Sequence, residues 1–410
     1  MKRCIHIICG GLTLACSLLM AAIVTLAGRM PEQFNVVEGS SLTLQGAVSV
    51  GAQRTAEGRS VSAATLAAGS SYTASLKLFG LFPVKDVAVK VVDATSVVPC
   101  GTPFGIKMFT DGVLVVGLSA VETDSGPSSP GRTCGLKAGD IITHINGQEV
   151  NTIEEVQDIL GDEQGDAMTL RATRNGKPVQ LSVQAIQNIQ GSYQLGVWLR
   201  DSMAGIGTMT FYDPDSGVFA ALGHGINDVD TATLMPMESG SIMYASVTDV
   251  KKGESGAPGE LHGSFDVNRD LGDLYANTNL GIYGVLRDGA LSPRGEAVEV
   301  AAREEVHVGG ATILSNIAGE QVEEYQVEIT HVYPAAAGDT RNLMVQVTDP
   351  RLLETTGGIV QGMSGSPILQ DGKLVGAVTH VLVNDPTRGY GILAENMVSQ
   401  CVWEEQAQVS

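Results

Sequence analysis

The amino-acid sequence predicts a mainly β protein with more than one domain. Runs of valine, threonine and isoleucine are common, long amphipathic helices are few, and 50 glycines separate the apolar segments. This pattern is typical of short strands that are joined by tight turns. A chain of 410 residues is also long enough to form two or three domains, each with a core of its own.

The first predicted element is an apolar helix that spans a membrane. Lys2 and Arg3 precede an almost unbroken apolar run from Cys4 to Ala27, which is about the length that a bilayer requires. The basic residues at its start favour a cytoplasmic N-terminus and a body on the extracytoplasmic side. Because the run exceeds the apolar core of a typical signal peptide, we expect residues 1–28 to remain as an uncleaved anchor.

Residues 29–96 form the next predicted segment. Up to residue 70 they are rich in serine, alanine, glycine and threonine, a composition typical of a spacer. Apolar and polar residues then alternate from Ser75 to Asp93. This alternation predicts a strand that enters a folded domain.

Residues 97–187 show the pattern of a small peptide-binding domain. Phe104, Gly105 and Ile106 form a glycine-containing loop ahead of strand-like residues, and the motif GLKAGDIITHINGQEV (135–150) precedes a short capped helix, NTIEEVQDIL. This block resembles the PDZ domains of exported bacterial proteases. The resemblance implies a groove between a strand and the helix, where a peptide adds as an extra strand and the Phe104–Ile106 loop binds its carboxylate. A PDZ fold kept only for packing is the alternative.

Residues 188–410 read as an all-β barrel or sandwich, and they contain two stretches with the pattern Gly-x-Ser-Gly-x-Pro. GESGAP (253–258) and GMSGSP (362–367) both match the loop that presents the serine of chymotrypsin-like proteases. An apolar strand, an Asp-Gly turn and a second apolar strand follow Ser364, whereas polar, turn-rich residues follow Ser255. Ser364 is therefore the predicted nucleophile of a barrel-type serine peptidase domain. Gly362 and Gly365 allow the loop to curl, so that the amides of Gly362 and Ser364 converge on an oxyanion hole.

A serine nucleophile needs a base, and His224 is the best candidate. It ends an apolar strand between two glycines, which exposes the imidazole with little crowding. A turn histidine without a role fits the same pattern. The acid that would orient the imidazole is also open at this point, among Asp228, Asp230 and Asp349.

Several motifs occur together in one order: LFGLFPVKDVAVKVV, ALGHGI, the PDZ-like block and TDPRLLETTGGIVQGMSGSPILQDGKLVGAVTHVLVNDPTRGYGI. From about residue 75 to the C-terminus the chain closely resembles the stage IV sporulation protein B family of serine endopeptidases. Carried over residue by residue, the resemblance implies a triad of His224, Asp349 and Ser364.

The resemblance also implies a biological setting. It implies self-cleavage and a signalling role in sporulation, in the space between the forespore and mother cell membranes. There the enzyme would process a membrane-associated regulatory protein, which leads to activation of a sigma factor. The expected partners are protein or peptide substrates, including the chain itself, and the membrane through the N-terminal helix.

Charge and cysteine content exclude other classes. The formal net charge of −20 disfavours nucleic acid as a partner. No cysteine spacing indicates a zinc site or a disulfide framework, and no phosphate loop is present, so we expect no metal and no cofactor. Two rivals of the triad remain: a Ser-Lys hydrolase that uses Lys373 or Lys251 as the base, and a PDZ-bearing scaffold without catalysis.

Overall fold

The structure is a computed structural model. It describes residues 17, 20, 21, 23–25, 27, 33–37, 42, 48–55, 59–62, 66–92, 95–290, 295–319, 321–333 and 340–401. Strands dominate this part of the chain, which confirms the mainly β prediction. Within these ranges no helix combines the length and the hydropathy needed to cross a membrane, and most of the predicted anchor (1–28) lies outside the described residues.

A four-stranded sheet comes first, with strand order β1-β4-β3-β2. Its strands are β1 (Gln33–Val37), β2 (Val48–Arg54), β3 (Ser71–Leu78) and β4 (Phe82–Val92). Alternate residues of β3 and β4 are buried in a core of their own. Part of the predicted spacer thus belongs to a folded sheet, and the single strand expected from Ser75 onward is a hairpin that turns at Phe79 and Gly80.

Two strands and a small α+β unit follow. Their elements are β5 (Ser96–Pro99), β6 (Pro103–Leu118), α1 (Pro130–Cys134), β7 (Ile141–Ile145), β8 (Gln148–Glu149), α2 (Ile153–Glu163), β9 (Ala167–Arg174), β10 (Lys177–Gln184), β11 (Ile186–Gln187) and β12 (Tyr193–Gln194). The helix α2 is the one that the sequence predicts. Thr152 caps it by accepting a hydrogen bond from the Glu155 amide, and the Glu155 side chain returns the contact, which forms a capping box.

A second group of strands closes into a ring with β6. It comprises β13 (Val197–Tyr212), β14 (Val218–Ala221), β15 (Met237–Lys251), β16 (Glu260–Thr278), β17 (Gly281–Leu286) and β18 (Val298–Glu299). Antiparallel pairs join β6 to β15, β15 to β16, β16 to β17, β17 to β14, β14 to β13 and β13 back to β6. These six strands therefore form a first barrel.

The first barrel changes the predicted domain boundary at residue 97. β5 and the first half of β6 lie inside the range expected for the PDZ-like domain, yet their hydrogen bonds go to the first barrel and to β18. Only the second half of β6, from Val113, joins the core of the α+β unit. Gly112 lies between the two halves of β6. Only glycine suits this position, because its φ is 87° and an added Cβ atom would lie 2.8 Å from Cγ2 of Ile141.

A second barrel is built from β19 (Gly309–Ser315), β20 (Glu323–Val332), β21 (Leu343–Val347), β22 (Pro367–Gln370), β23 (Lys373–Leu382) and β24 (Asp385–Leu393). Two short helices accompany it, α3 (Pro350–Thr356) and α4 (Ala394–Val398). Buried side chains from both barrels pack together, among them Phe211 and Ala220 of the first and Leu374 and Ile392 of the second. This contact fixes the loops of one barrel against those of the other.

Candidate active site

A cleft of about 300 Å³ lies where the two barrels meet. His224 borders it from the first barrel, and Gly362 and Ser364 border it from the second. The rest of its wall is mostly apolar and comes from Ile106, Met203, Ala204, Gly205, Ile206, Leu222, Gly225, Ile226, Asn227 and Gln361.

The serine loop has the shape that its glycines predict. Gly362 and Gly365 adopt φ values of 97° and 100°, a region that L side chains rarely occupy. The loop is held against β13 by hydrogen bonds between the barrels: Thr208 Oγ1 donates to the Gly362 carbonyl at 2.7 Å, and the Thr208 amide donates to the Ser364 carbonyl at 3.2 Å. β22 and β23 then form the predicted supporting hairpin.

The other serine motif forms a surface turn. Ser255 is exposed, its Oγ donates to the carbonyl of Asn384 at 2.8 Å, and the residue does not border the cleft. Glu254 and Ala257 exchange backbone hydrogen bonds on either side of it. The structure thus places Ser364, and not Ser255, at the cleft that His224 borders.

The amides expected to form the oxyanion hole are free to donate a hydrogen bond. Among the described residues, nothing accepts a hydrogen bond from the amide of Gly362 or of Ser364, whereas the Gly365 amide is bound to the Val378 carbonyl at 2.8 Å. Two free N–H groups that border a cleft are the donor set that a developing oxyanion requires.

His224 follows β14 in a strained turn. Leu222 has a φ of 68° although it is not glycine, the kind of strain that accumulates at functional sites. The imidazole Nδ1 lies 2.9 Å from the Gly225 carbonyl. Because a carbonyl can only accept, Nδ1 carries the proton in this contact and Nε2 is left to accept one. Burial lowers the pKa of His224, so the ring is neutral near pH 7 and suited to act as a base.

The hydroxyl of Ser364 does not contact this imidazole in the structure. Its Oγ donates to the Thr379 carbonyl at 2.6 Å. A rotation about the Cα–Cβ bond of Ser364 is therefore needed before Nε2 can take the proton. Catalytic hydrogen bonds are often unformed in the absence of substrate.

Asp349 lies in the second barrel, where it caps α3. Its carboxylate accepts from the Arg351 amide at 2.9 Å, from the Arg351 guanidinium at 3.0 Å and from the Gln326 amide at 3.2 Å. The hydrogen bonds to Arg351 lower the pKa of Asp349 to about 2. The structure brings His224 and Ser364 to one cleft, but it bonds Asp349 to Arg351 and Gln326 and forms no hydrogen bond between Asp349 and His224.

A second histidine stands next to the first. The ring of His380, on β23, lies 5.1 Å from the ring of His224, centroid to centroid. Burial lowers the pKa of His380 to about 4, with smaller contributions from His224 and Arg341. The sequence offered one signal for this neighbour: His380 directly follows Thr379, on the second strand of the hairpin that supports the serine.

The residues expected to bind a peptide carboxylate are not in a loop. Phe104, Gly105 and Ile106 lie within β6, where β13 pairs with one edge and β15 with the other. Phe104 is fully buried, and the ring of Phe265 covers Gly105 so closely that a Cβ atom would not fit. No peptide can add as a strand at this position, and of the three residues only Ile106 borders the cleft.

The expected peptide groove is filled by the chain itself. Residues 114–118 of β6 pair with residues 197–200 of β13, and α2 packs against β12 and β13. Leu195 is buried in the core of the α+β unit, and Asp201 accepts a hydrogen bond from the Ile153 amide at the start of α2, at 2.9 Å. A peptide from elsewhere would have to displace this segment.

Two barrels that share a cleft with a serine loop and a neutral histidine define a serine peptidase. The family model described as SpoIVB peptidase S55 matches residues 191–398, just over half of the chain. The chain belongs to this family of serine peptidases. A PDZ domain model matches residues 123–174, so the α+β unit is a PDZ domain.

Individual relatives match shorter parts of the chain. The periplasmic pH-dependent serine endoprotease DegQ of Escherichia coli (strain K12) is 41% identical over 58 residues, which are 14% of this chain and 13% of that protein. The PDZ domain of the SdrC-like protein from Listeria monocytogenes is 24% identical, with a TM-score of 0.18, and covers 22% of this chain and 87% of its own. The Rv3671c protease from M. tuberculosis in its active form is 16% identical, with a TM-score of 0.27, and covers 48% of this chain and 73% of its own.

Proposed function

We propose that this serine peptidase is an exported, membrane-anchored endopeptidase that cleaves itself and a membrane-associated regulatory protein. The observation that carries the catalytic part is the shared cleft, in which Ser364 and the neutral His224 stand beside the free amides of Gly362 and Ser364. The family resemblance of the sequence supports the sporulation setting and the activation of a sigma factor.

The chemistry begins with the Ser364 hydroxyl. Its Oγ turns from the Thr379 carbonyl toward Nε2 of His224, which takes the proton as Oγ attacks the scissile carbonyl. The hydrogen bond from Nδ1 to the Gly225 carbonyl holds the required tautomer. The amides of Gly362 and Ser364 donate to the oxygen that becomes negative in the tetrahedral intermediate, and His224 then returns the proton to the leaving amine.

Asp349 is the proposed third member of the triad on the strength of the family resemblance. Its carboxylate is engaged by Arg351, and Nδ1 of His224 is engaged by the Gly225 carbonyl, so Asp349 can orient His224 only after both of these contacts open. This requirement makes Arg351 a competitor for the carboxylate, and substrate or a partner would have to shift the balance.

A lysine base is disfavoured by the structure. Lys373 forms ion pairs with Glu305 at 2.7 Å and Glu299 at 2.9 Å, and the hydrogen bond that it donates to Glu305 is the main cause of its raised pKa. A lysine that holds its proton more firmly is a poorer base. Neither Lys373 nor the exposed Lys251 borders the cleft.

The test is to label the full chain with a fluorophosphonate that reacts with activated serines, and to follow its intact mass over time. The parent chain and Ser255→Ala are expected to be labelled and to shorten, whereas Ser364→Ala and His224→Ala are expected to do neither. Labelling without shortening would retain the peptidase and reject self-cleavage. A parent chain that is not labelled at all would favour the scaffold.

A further inference from the structure

An apolar tip projects from the N-terminal sheet. We define the apolar tip as Phe79, Leu81 and Phe82, at the turn between β3 and β4. Their side chains are 67%, 75% and 40% exposed. In the rest of the described residues from 95 onward, exposed large apolar side chains occur singly along the sequence, as is normal for a soluble surface.

The conformation of the turn does not explain the aromatic residue. Phe79 and Gly80 have φ values of 51° and 71°, and the Leu81 amide donates to the Leu78 carbonyl at 3.1 Å. Two central residues with positive φ define a type I′ turn, for which Asn-Gly is the preferred pair. Phenylalanine at the first position is strained and also exposed. Where a residue satisfies neither local conformation nor burial, a functional reason is expected.

The charge around the apolar tip differs from that of the whole chain. Residues 71–85 contain Lys77 and Lys85 but no acidic residue, and the first acidic residue beyond the tip is Asp86, four residues after Phe82, although the formal net charge of the chain is −20. Apolar side chains flanked by lysines match the boundary of a bilayer whose headgroups are anionic.

The direction of β1 relates the apolar tip to the apolar run Cys4–Ala27. β1 is parallel to β4, with Gln33 opposite Ala88, so the chain enters this sheet at the end that carries the tip. Phe82 lies six residues before Ala88 on β4, about 20 Å further toward that end. Six residue steps separate Ala27 from Gln33, and they can span up to about 20 Å. The end of the apolar run can therefore lie level with the apolar tip.

We propose that the apolar tip inserts into the headgroup–acyl boundary of the bilayer that the N-terminal run anchors to. This inference rests on the anchoring in the proposed function. It assigns the N-terminal sheet a second contact with the lipid surface, beside the anchor. Two contacts hold the sheet at a set height and angle above the membrane, which a single contact would not do.

The test uses the full chain, reconstituted into vesicles of phosphatidylcholine and phosphatidylglycerol, with or without bromine on the acyl chains. Leu81→Trp introduces a probe at the tip, and Val267→Trp introduces a matched probe on β16, where Val267 is 65% exposed. The emission of the parent chain is subtracted in both cases. An indole that sits about 5–10 Å below the surface lies among the brominated segments, so emission from Leu81→Trp should fall to about half or less. Emission from Val267→Trp should not change.

A further substitution separates lipid contact from folding. Phe79→Asn creates the preferred Asn-Gly turn, so the melting temperature should stay level or rise, while bromine quenching of the Leu81→Trp probe should weaken. A melting temperature that falls in Phe79→Asn, with unchanged quenching, would show that the aromatic ring serves the fold.

The outcomes separate the apolar tip from the anchor. If the chain floats with the vesicles and Leu81→Trp is quenched no more than Val267→Trp, the tip proposal is wrong and the anchor stands. If the chain does not float, the anchoring is wrong and the tip proposal falls with it.

Discussion

Replacing Asp349 by alanine tests whether this carboxylate serves the fold, the chemistry or both. In the structure it caps α3 by accepting from the Arg351 amide, and it pairs with the Arg351 guanidinium. Loss of an N-cap side chain costs about 1 kcal/mol. The ion pair adds less, because the Arg351 side chain is 58% exposed and solvent screens it. We expect a melting temperature lowered by about 2–4 °C for an unfolding unit of this size.

The Asp349 carboxylate also makes the stability of the fold depend on pH. Its pKa is lowered to about 2 in the folded chain, against about 3.9 in an unfolded one. The stabilisation is therefore present above pH 4 and is lost as the pH falls toward 2. Melting curves of the parent chain and of Asp349→Ala should differ at pH 7 and converge near pH 2.

Arg351→Met is the matched control for Asp349→Ala. It removes the ion pair and leaves the backbone cap, so its loss of stability should be the smaller of the two. If Asp349 acts as the triad acid, fluorophosphonate labelling should collapse in Asp349→Ala and persist in Arg351→Met. Equal melting temperatures for the parent and Asp349→Ala would refute the assignment of the cap.

Three further outcomes are expected. Labelling should lose half its rate at a pH below 6.5, because burial lowers the pKa of His224 and the base works only when neutral; a midpoint above 6.5 would contradict the neutral-base argument. Gly365→Ala should abolish labelling, since its Cβ would lie 2.7 Å from the Leu222 amide nitrogen. Gly256→Ala lies in the exposed motif, where nothing is near the added Cβ, and should keep the labelling. If both substitutions changed labelling equally, the packing argument for Gly365 would be refuted. Lys373→Met should label at the parental rate, and a loss would revive the lysine base.

Features with a local cause could be predicted from the sequence. The loop around Ser364 needs two glycines and a following strand, and those residues stand side by side in the chain. The capping box at Thr152 and Glu155 likewise depends on a spacing of three residues. His224 was a candidate because its flanking glycines and the preceding strand are also local.

Contacts between distant strands could not be predicted in this way. The sequence at Phe104–Ile106 looks like a loop, but β13 pairs with one of its edges and β15 with the other, and both strands lie about a hundred residues or more further along. The proximity of His380 to His224 has the same origin, because two barrels must pack before these rings approach each other. The partner of Asp349 is near in sequence, yet only the start of α3 decides that the carboxylate turns toward Arg351.

The sequence by itself indicated the class of protein through its family resemblance. It also predicted the serine loop and offered His224 as a candidate base, because backbone conformation and strand patterning are set by neighbouring residues. Tertiary structure alone decided that the chain's own residues fill the PDZ groove and that β6 serves both the PDZ domain and the first barrel. Each of these depends on which strands meet across the fold. That choice is made by the burial of apolar faces and the closure of two barrels, to which residues far apart in the chain contribute together.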